Sequence, residues 1–328
     1  MGNTPQLPLS SLVEGFVLSL AAEGKAPTTV NYYQGNLHRF LWYAKEHEWP
    51  DDPRAINAWK VREFLAYAGT ARNRWGATGN GSENCRGPSK TGGWRYYRTL
   101  RRFFNWAVSE GFVEKTPLSN IKPEPPKEQP VEPYSQEEMR KLIAVCDRDF
   151  ADGDKFLGSR NKAIILLFVD TGMRLSELGN LRVSQIALDK GRAVVQGKGG
   201  WQRVVAFSSA TKKALWKYLA FREQRVKYVA KEWLWVTEEG TRLTVNGIHI
   251  AFRRIKKRAG VSSSGAVHKL RHTFAVNALR GLKDPTLLQL LLGHKTLEMT
   301  RRYTQGLKIE EALEAMDKVS PVDRLGLA

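Results

Sequence analysis

VHKLRHTFAVNALRGLKDPTLLQLLLGHKTLEMTRRY, residues 267 to 303, is the stretch around which the rest of the chain is arranged. On a helix of about 3.6 residues per turn, His268 and Arg271 project from one face, so a ring and a guanidinium converge on one small anion. A second histidine, His294, follows a Leu-Leu-Leu-Gly turn, and Tyr303 lies about two and a half helical turns further on. Cations, imidazoles and a phenol together suit chemistry on a phosphodiester, because an arginine fork holds two phosphate oxygens while a hydroxyl attacks phosphorus. Each residue taken alone has a commoner structural reading: a satisfied helix-mouth histidine, a half-buried amphipathic tyrosine.

Composition narrows the partner. The chain has 328 residues, with 52 Lys+Arg against 33 Asp+Glu and a formal charge of +19. That length fits two domains, and that excess raises affinity for polyphosphates, nucleic acid first among them, without separating DNA from RNA. The two cysteines, Cys85 and Cys146, sit far apart with no CxxC or His-rich neighbourhood, so no metal site and no structural disulfide are expected. No basic stretch followed by a long apolar run opens the chain, and Gln6 stands where a myristoylation signal needs Ser or Thr. The longest apolar run, residues 163 to 169, is too short for a bilayer. A soluble, cytoplasmic protein without a membrane partner is the expectation.

Upstream of residue 113 the pattern is helical. Leu12, Phe16 and Leu20 stripe a first helix; Val30, Tyr33, Leu37 and Leu41 a second; Val61, Phe64 and Ala68 a third ended by Gly69. A fourth, residues 94 to 110, sets Tyr97, Leu100, Phe104 and Ala107 on one side and Arg95, Arg98 and Arg102 in a narrow stripe on the other. Acidic i,i+4 partners are missing from most of this helix, which marks the arginines as DNA-facing candidates. Residues 70 to 93, TARNRWGATGNGSENCRGPSKTGG, read as a loop that either touches DNA or is a tolerated insertion.

Six of the 14 prolines fall between Pro117 and Pro133, an extended, semi-rigid composition. The expected organisation is a helical domain over 1–113, a linker over 114–134 and a second domain over 135–328. Ser135 with Glu138 forms a capping-box pattern at its start. Residues 161 to 171 read as a buried helix. Residues 192 to 198 and 202 to 207 read as strands joined by a GKGGW hairpin, and residues 233 to 243 as a further strand and turn. The fold class is mainly α with a small antiparallel β-sheet.

Five islands line up in order: TGMRLSEL with Arg174 and Glu177, QGKGGWQRVV with Lys198, HKLRH with His268 and Arg271, LLGH with His294, and TRRYT with Tyr303. In this order and spacing the chain resembles the tyrosine recombinase (phage integrase) family, and within it the compact Xer-like members. The resemblance covers the second domain densely and the first loosely, through its helical pattern. It implies a helical core-site DNA-binding domain followed by a mixed α/β catalytic domain. The implied activity is site-specific DNA recombination by sequential strand exchange in a tetramer, on double-stranded sites, with accessory proteins where direction is set.

The resemblance also implies roles. Tyr303 is the nucleophile, leaving a 3'-phosphotyrosyl DNA and a free 5'-hydroxyl; the ester keeps the energy of the broken bond, so neither ATP nor a metal cofactor is required. Arg174 and Arg271 clamp the non-bridging oxygens. Lys198 protonates the departing 5'-oxygen, with Arg203 as a substitute candidate; His268 accepts and returns the tyrosine proton. His294 hydrogen-bonds the phosphate, Glu177 orients Arg174, and His272 is structural. A C-terminal exchange helix over 308–320 docks on a neighbouring protomer, the alternative from the residues alone being that it packs against its own domain. Two other readings share parts of this pattern: a type IB topoisomerase, and a DNA-binding protein without strand exchange.

Overall fold

The computed structural model describes residues 7–70, 90–126, 132–197, 200–265, 267–294 and 296–304, except for the side chains of 90, 91, 302 and 304. The chain divides into two compact units, Met1–Lys127 and Glu128–Ala328.

The first unit is helical: α1 Leu9–Ala22, α2 Pro27–Glu46, α3 Ala58–Thr70 and α4 Lys90–Ser109. Proline at the first position starts α2, where its missing N–H costs no hydrogen bond. The apolar stripes meet as expected, with Leu12, Phe16, Leu20, Leu37, Val61, Phe64, Leu100 and Phe104 all buried. Aromatic rings carry much of this core; Phe40 and Phe64 pack edge to face at 5.0 Å and Phe16 and Phe103 at 5.6 Å. α3 runs through Gly69 rather than stopping before it, and α4 begins at Lys90, inside the stretch read as a loop. The rest of that loop, residues 71–89, lies outside the described residues. Of the proline-rich stretch, Leu118 and Ile121 are buried in this unit's core.

The second unit contains α5 Gln136–Ala151, α6 Lys155–Thr171, α7 Leu175–Gly179, β1 Ile186–Ala187, β2 Arg192–Gln196, β3 Gln202–Ala206, α8 Ser209–Glu223, α9 Val245–Arg258, α10 His268–Leu282, α11 Pro285–Leu292 and α12 Glu298–Thr304. The capping box at α5 is formed: Glu138 N donates to Ser135 Oγ at 3.1 Å and Ser135 N to Glu138 Oε2 at 2.8 Å. α6 is the central helix, packed by α5, α8 and α10 and buried on most of its surface.

The sheet is antiparallel in the order β1-β2-β3, with Gln196 opposite Gln202 at the hairpin end. Its third strand is β1, which pairs Ile186 with Ala193. Residues 233–243, read as a strand, make only isolated bridges among the described residues. Consecutive Leu234, Trp235 and Val236 are all buried, which a one-sided strand does not allow, and buried Arg222 and Arg160 take up carbonyls of Trp233, Leu234 and Val236.

Candidate active site

Two helix ends shape the site. α6 stops at Gly172 and α11 at Gly293, both left-handed, at φ +56° and +62°. Neither position has room for a side chain: a Cβ on Gly172 would stand 2.1 Å from Phe274 Cδ1, and one on Gly293 would stand 3.1 Å from both Arg203 and Trp201. The carbonyls at these ends have no intrahelical partner and carry the negative end of the helix dipole, so they attract cations.

Arg271, on the first turn of α10, fills that role at both ends. Its Nη1 donates to Gly172 O, its Nη2 to Leu292 O at 3.0 Å, and Nη2 also lies 3.0 Å from His294 Nε2. The residue is 6% exposed. Burial, then the neighbouring charge of Arg174, lowers its guanidinium to about 10, so it remains a cation at neutral pH.

Arg174 precedes α7, and Glu177 reaches back to it. Arg174 N donates to Glu177 Oε2 at 2.7 Å and Nη1 to Oε1 at 2.9 Å, while Nη2 reaches Gly293 O at 3.3 Å. Glu177 is gripped from its other side by Arg203 of β3, whose Nη1 and Nη2 each donate at 2.9 Å. Period two along β3 puts Arg203 on the same inward face as Val205, and it is 8% exposed. Burial raises the Glu177 carboxyl, but the hydrogen bonds from Arg203 and Arg174 outweigh it and hold the group below the usual carboxylate range. With both terminal nitrogens committed to Glu177, Arg203 is occupied as a strut rather than poised at a leaving group.

His294 is nearly buried. Its Nε2 faces the guanidinium of Arg271, a pure donor, so Nε2 accepts and Nδ1 carries the proton, donating to Thr300 Oγ1 at 2.8 Å. Its ring stacks over Tyr303 with planes 9° apart and centroids 6.4 Å apart. Tyr303, on α12, is 3% exposed and packs with Ala275, Leu279, Leu288 and Leu292. Its hydroxyl lies 2.9 Å from Nδ1 of His272.

Five of the residues singled out from sequence are therefore neighbours: Glu177, Arg174, Arg271, His294 and Tyr303. His268 stands on the open first turn of α10; partial shielding of its ring, then the charges of Arg271 and His249, hold it below the usual imidazole range. Lys198 lies outside the described residues; of its flanks, Gly197 N donates to Trp201 O at 2.6 Å. Sequence reasoning did not assign Arg203 its place beneath Glu177, nor His272 its contact with Tyr303. The alternation in QRVVA marks Arg203 as inward-facing; nothing local marks His272. Among the described residues no three or more His, Cys, Asp or Glu side chains are grouped to hold a metal ion, and no helix is long and apolar enough to cross a membrane.

In the first unit the α4 arginines differ from one another. Arg98 is exposed; Arg95 donates to Tyr96 Oη at 3.0 Å and lies over its ring; Arg102 pairs with Glu23 of α1 at 3.4 Å and lies over Tyr33.

Comparison with known proteins agrees with this geometry. The phage integrase family pattern matches residues 134–309. A tyrosine recombinase XerC of Thermodesulfovibrio yellowstonii is 29% identical over 313 residues, covering 92% of this chain and 93% of that one. A tyrosine recombinase XerC of Oceanobacillus iheyensis is 36% identical over 233 residues, 69% of this chain and 73% of that one. Among solved structures, the XerH site-specific recombinase bound to palindromic difH substrate in a post-cleavage complex shares the fold. Its TM-score is 0.68 at 23% identity, covering 96% of this chain and 85% of that one. A lambda integrase tetramer bound to a Holliday junction gives 0.64 at 19% identity, over 88% and 78%.

Proposed function

This chain belongs to the phage integrase family, and from that premise we propose how its residues cut and rejoin DNA. It is a site-specific DNA recombinase of the tyrosine type, acting on double-stranded DNA as an oligomer. In our reading Tyr303 attacks the scissile phosphorus. The Tyr303 Oη–P bond forms as the P–O5' bond breaks, and Lys198 supplies the proton that the departing 5'-oxygen takes. Arg174 and Arg271 hold the non-bridging oxygens and offset the charge that grows in the transition state, which is where fixed donors stabilise most. His268 meets the phosphate at the mouth of the site, and His294 presents a fixed tautomer beside it.

The observation that carries the reading is that Arg174, Arg271, His294 and Tyr303 meet around the carbonyls of two helix ends. Those carbonyls hold the guanidiniums in place before substrate arrives, so little reorganisation is left for the reaction. In the first unit we assign Arg95, Arg98 and Arg102 of α4 to DNA contact, with Arg98 the most available. The domain limits are proposed as 1–113 and 135–328 with the linker between. The helix expected over 308–320 is proposed to dock on a neighbouring protomer in a tetramer. Action in the cytoplasm, where DNA and a reduced Cys146 coexist, completes the reading.

Two steps test it. DNA covalently captured by the protein in cells is recovered and sequenced to give the site. That site, built as a nicked suicide substrate, then reports adduct formation, and paired sites report strand exchange. The expected results are a covalent adduct with the wild-type chain, none with Tyr303→Phe, and exchange between two duplexes. Relaxation of supercoils without exchange would favour a type IB topoisomerase; binding without adduct would favour a DNA-binding protein.

A further inference from the structure

α10 carries His268 in its first turn and His272 one turn later, on the same face. Tyr303 is surrounded by titratable groups from two elements, Arg271 and His272 of α10 and His294 of the segment after α11. These groups are not equivalent as proton acceptors. Arg271 is a donor only. His294 has both ring nitrogens engaged, Nε2 by Arg271 and Nδ1 by Thr300, and meets the phenol through its ring face. His272 presents Nδ1 edge-on to the hydroxyl at 2.9 Å, within the range in which a proton passes directly. A phenol is ordinarily a far weaker acid than imidazolium, by about 3.5 pKa units, so in the resting site the proton belongs to the phenol and Nδ1 accepts the hydrogen bond.

We propose that His272, rather than His268, takes the phenolic proton of Tyr303 during cleavage and returns it during rejoining. The proposal rests on the recombinase reading given above. As the Tyr303 Oη–P bond forms, the phenolic proton moves to His272 Nδ1, giving an imidazolium. The P–O5' bond breaks, its electron pair stays on O5', and that oxygen takes a proton from Lys198. In rejoining, the 5'-hydroxyl attacks phosphorus, its proton returns to Lys198, and the imidazolium of His272 reprotonates the released phenol. The charge of Arg271 favours the phenolate over the phenol. The incoming phosphate, negatively charged, offsets the cost of forming an imidazolium beside a guanidinium.

The test separates the attacking oxygen from the leaving one. The recovered DNA site is made once with its natural 5'-oxygen and once with sulfur at that bridging position, since sulfur departs without a proton. Full-length His272→Ala and His272→Gln are compared with wild type for the rate of adduct formation. His272→Gln keeps a hydrogen-bonding group of similar reach but cannot carry the proton. Both variants are expected to slow adduct formation by about a hundredfold, on oxygen and sulfur substrates alike. Added imidazole is expected to restore part of the rate to His272→Ala.

Wild-type rates in both variants, recovery by glutamine, or a loss that disappears on the sulfur substrate would each overturn the proposal. A second readout needs no DNA and covers the case of a poorly folded variant. In the chain labelled with 3-fluorotyrosine, the fluorine resonance removed by Tyr303→Phe should move in His272→Gln and hold still in His268→Gln; the reverse pattern overturns the assignment. If the wild type forms no adduct on any DNA, the recombinase reading fails and takes this inference with it. If it forms the adduct and the His272 variants match it, this inference alone fails.

Discussion

Arg98 on α4 and Arg271 on α10 belong to one strongly basic chain, yet they hold their charge in opposite ways. Arg98 projects into solvent, where water and salt screen it. Arg271 is withdrawn from water, fixed to Gly172 O and Leu292 O and set beside His294, with Arg174 near enough to lower its affinity for its own proton. Burying a cation costs several kcal/mol unless carbonyls or a carboxylate replace its hydration. The helix ends at Gly172 and Gly293 supply those carbonyls. In the function proposed above the contrast becomes a division of labour: exposed arginines add affinity wherever phosphate comes near, whereas buried, oriented ones discriminate between a phosphate at rest and one under attack.

The contrast breaks most visibly at Arg271. Arg271→Lys should lower the rate of adduct formation by about a thousandfold, since an ammonium cannot span both carbonyls and a phosphate oxygen, while affinity for DNA changes far less. Parallel binding and cleavage assays check this, and an equal loss in both would remove the distinction between the two kinds of arginine.

Next in size is the strut beneath the clamp. Removing Arg203, as Arg203→Met, leaves Glu177 buried with one partner fewer and should cost about 3–5 kcal/mol of stability, read by denaturant unfolding. The same pair has a pH signature. The Glu177 carboxyl is held below its ordinary value, so its contribution is complete above the ordinary carboxylate pKa and drains away as pH falls through the lowered one. Glu177→Gln should flatten that acid limb of the stability curve. An unchanged limb would mean that the carboxylate is not what the two arginines stabilise.

Arg174→Lys should cost about a hundredfold in cleavage with near-normal DNA affinity, a smaller loss than at Arg271 because the Arg174 side chain is 35% exposed and an ammonium there keeps access to Glu177. The smallest effect belongs to the first unit. Arg98→Ala should weaken binding a fewfold and reduce the slope of log affinity against log salt by about one, read by titration at several salt concentrations. A site-specific loss with an unchanged slope would turn Arg98 from a phosphate contact into a base contact.

Much of this was legible in the sequence because much of it is local. The apolar stripes of α1 to α4, the Ser135–Glu138 box and the strands flanking GKGG are written in spacings of two to four residues, and each formed. The glycines of TGMR and LLGH are local signals too, although what they accommodate is not: Gly293 makes room for Arg203, 90 residues upstream. Contacts across such separations escaped the reading. Arg203 looked like a spare cation and proves to be the second grip on Glu177. His272 looked structural and proves to hold the hydroxyl of Tyr303, a contact created only when α12 folds back against α10. The segment at 233–243 failed as a strand for a similar reason, because distant Arg160 and Arg222 claim the carbonyls that a neighbouring strand would have used.

The account stands or falls on which atom becomes joined to DNA. The wild-type protein trapped on its suicide substrate is digested with protease and nuclease, and the nucleotide-bearing peptide is sequenced by mass spectrometry. The account expects a 3'-phosphonucleotide on Tyr303 within the peptide that ends the TRRY motif. The same mass addition on any other residue, or its survival in Tyr303→Phe, would contradict it.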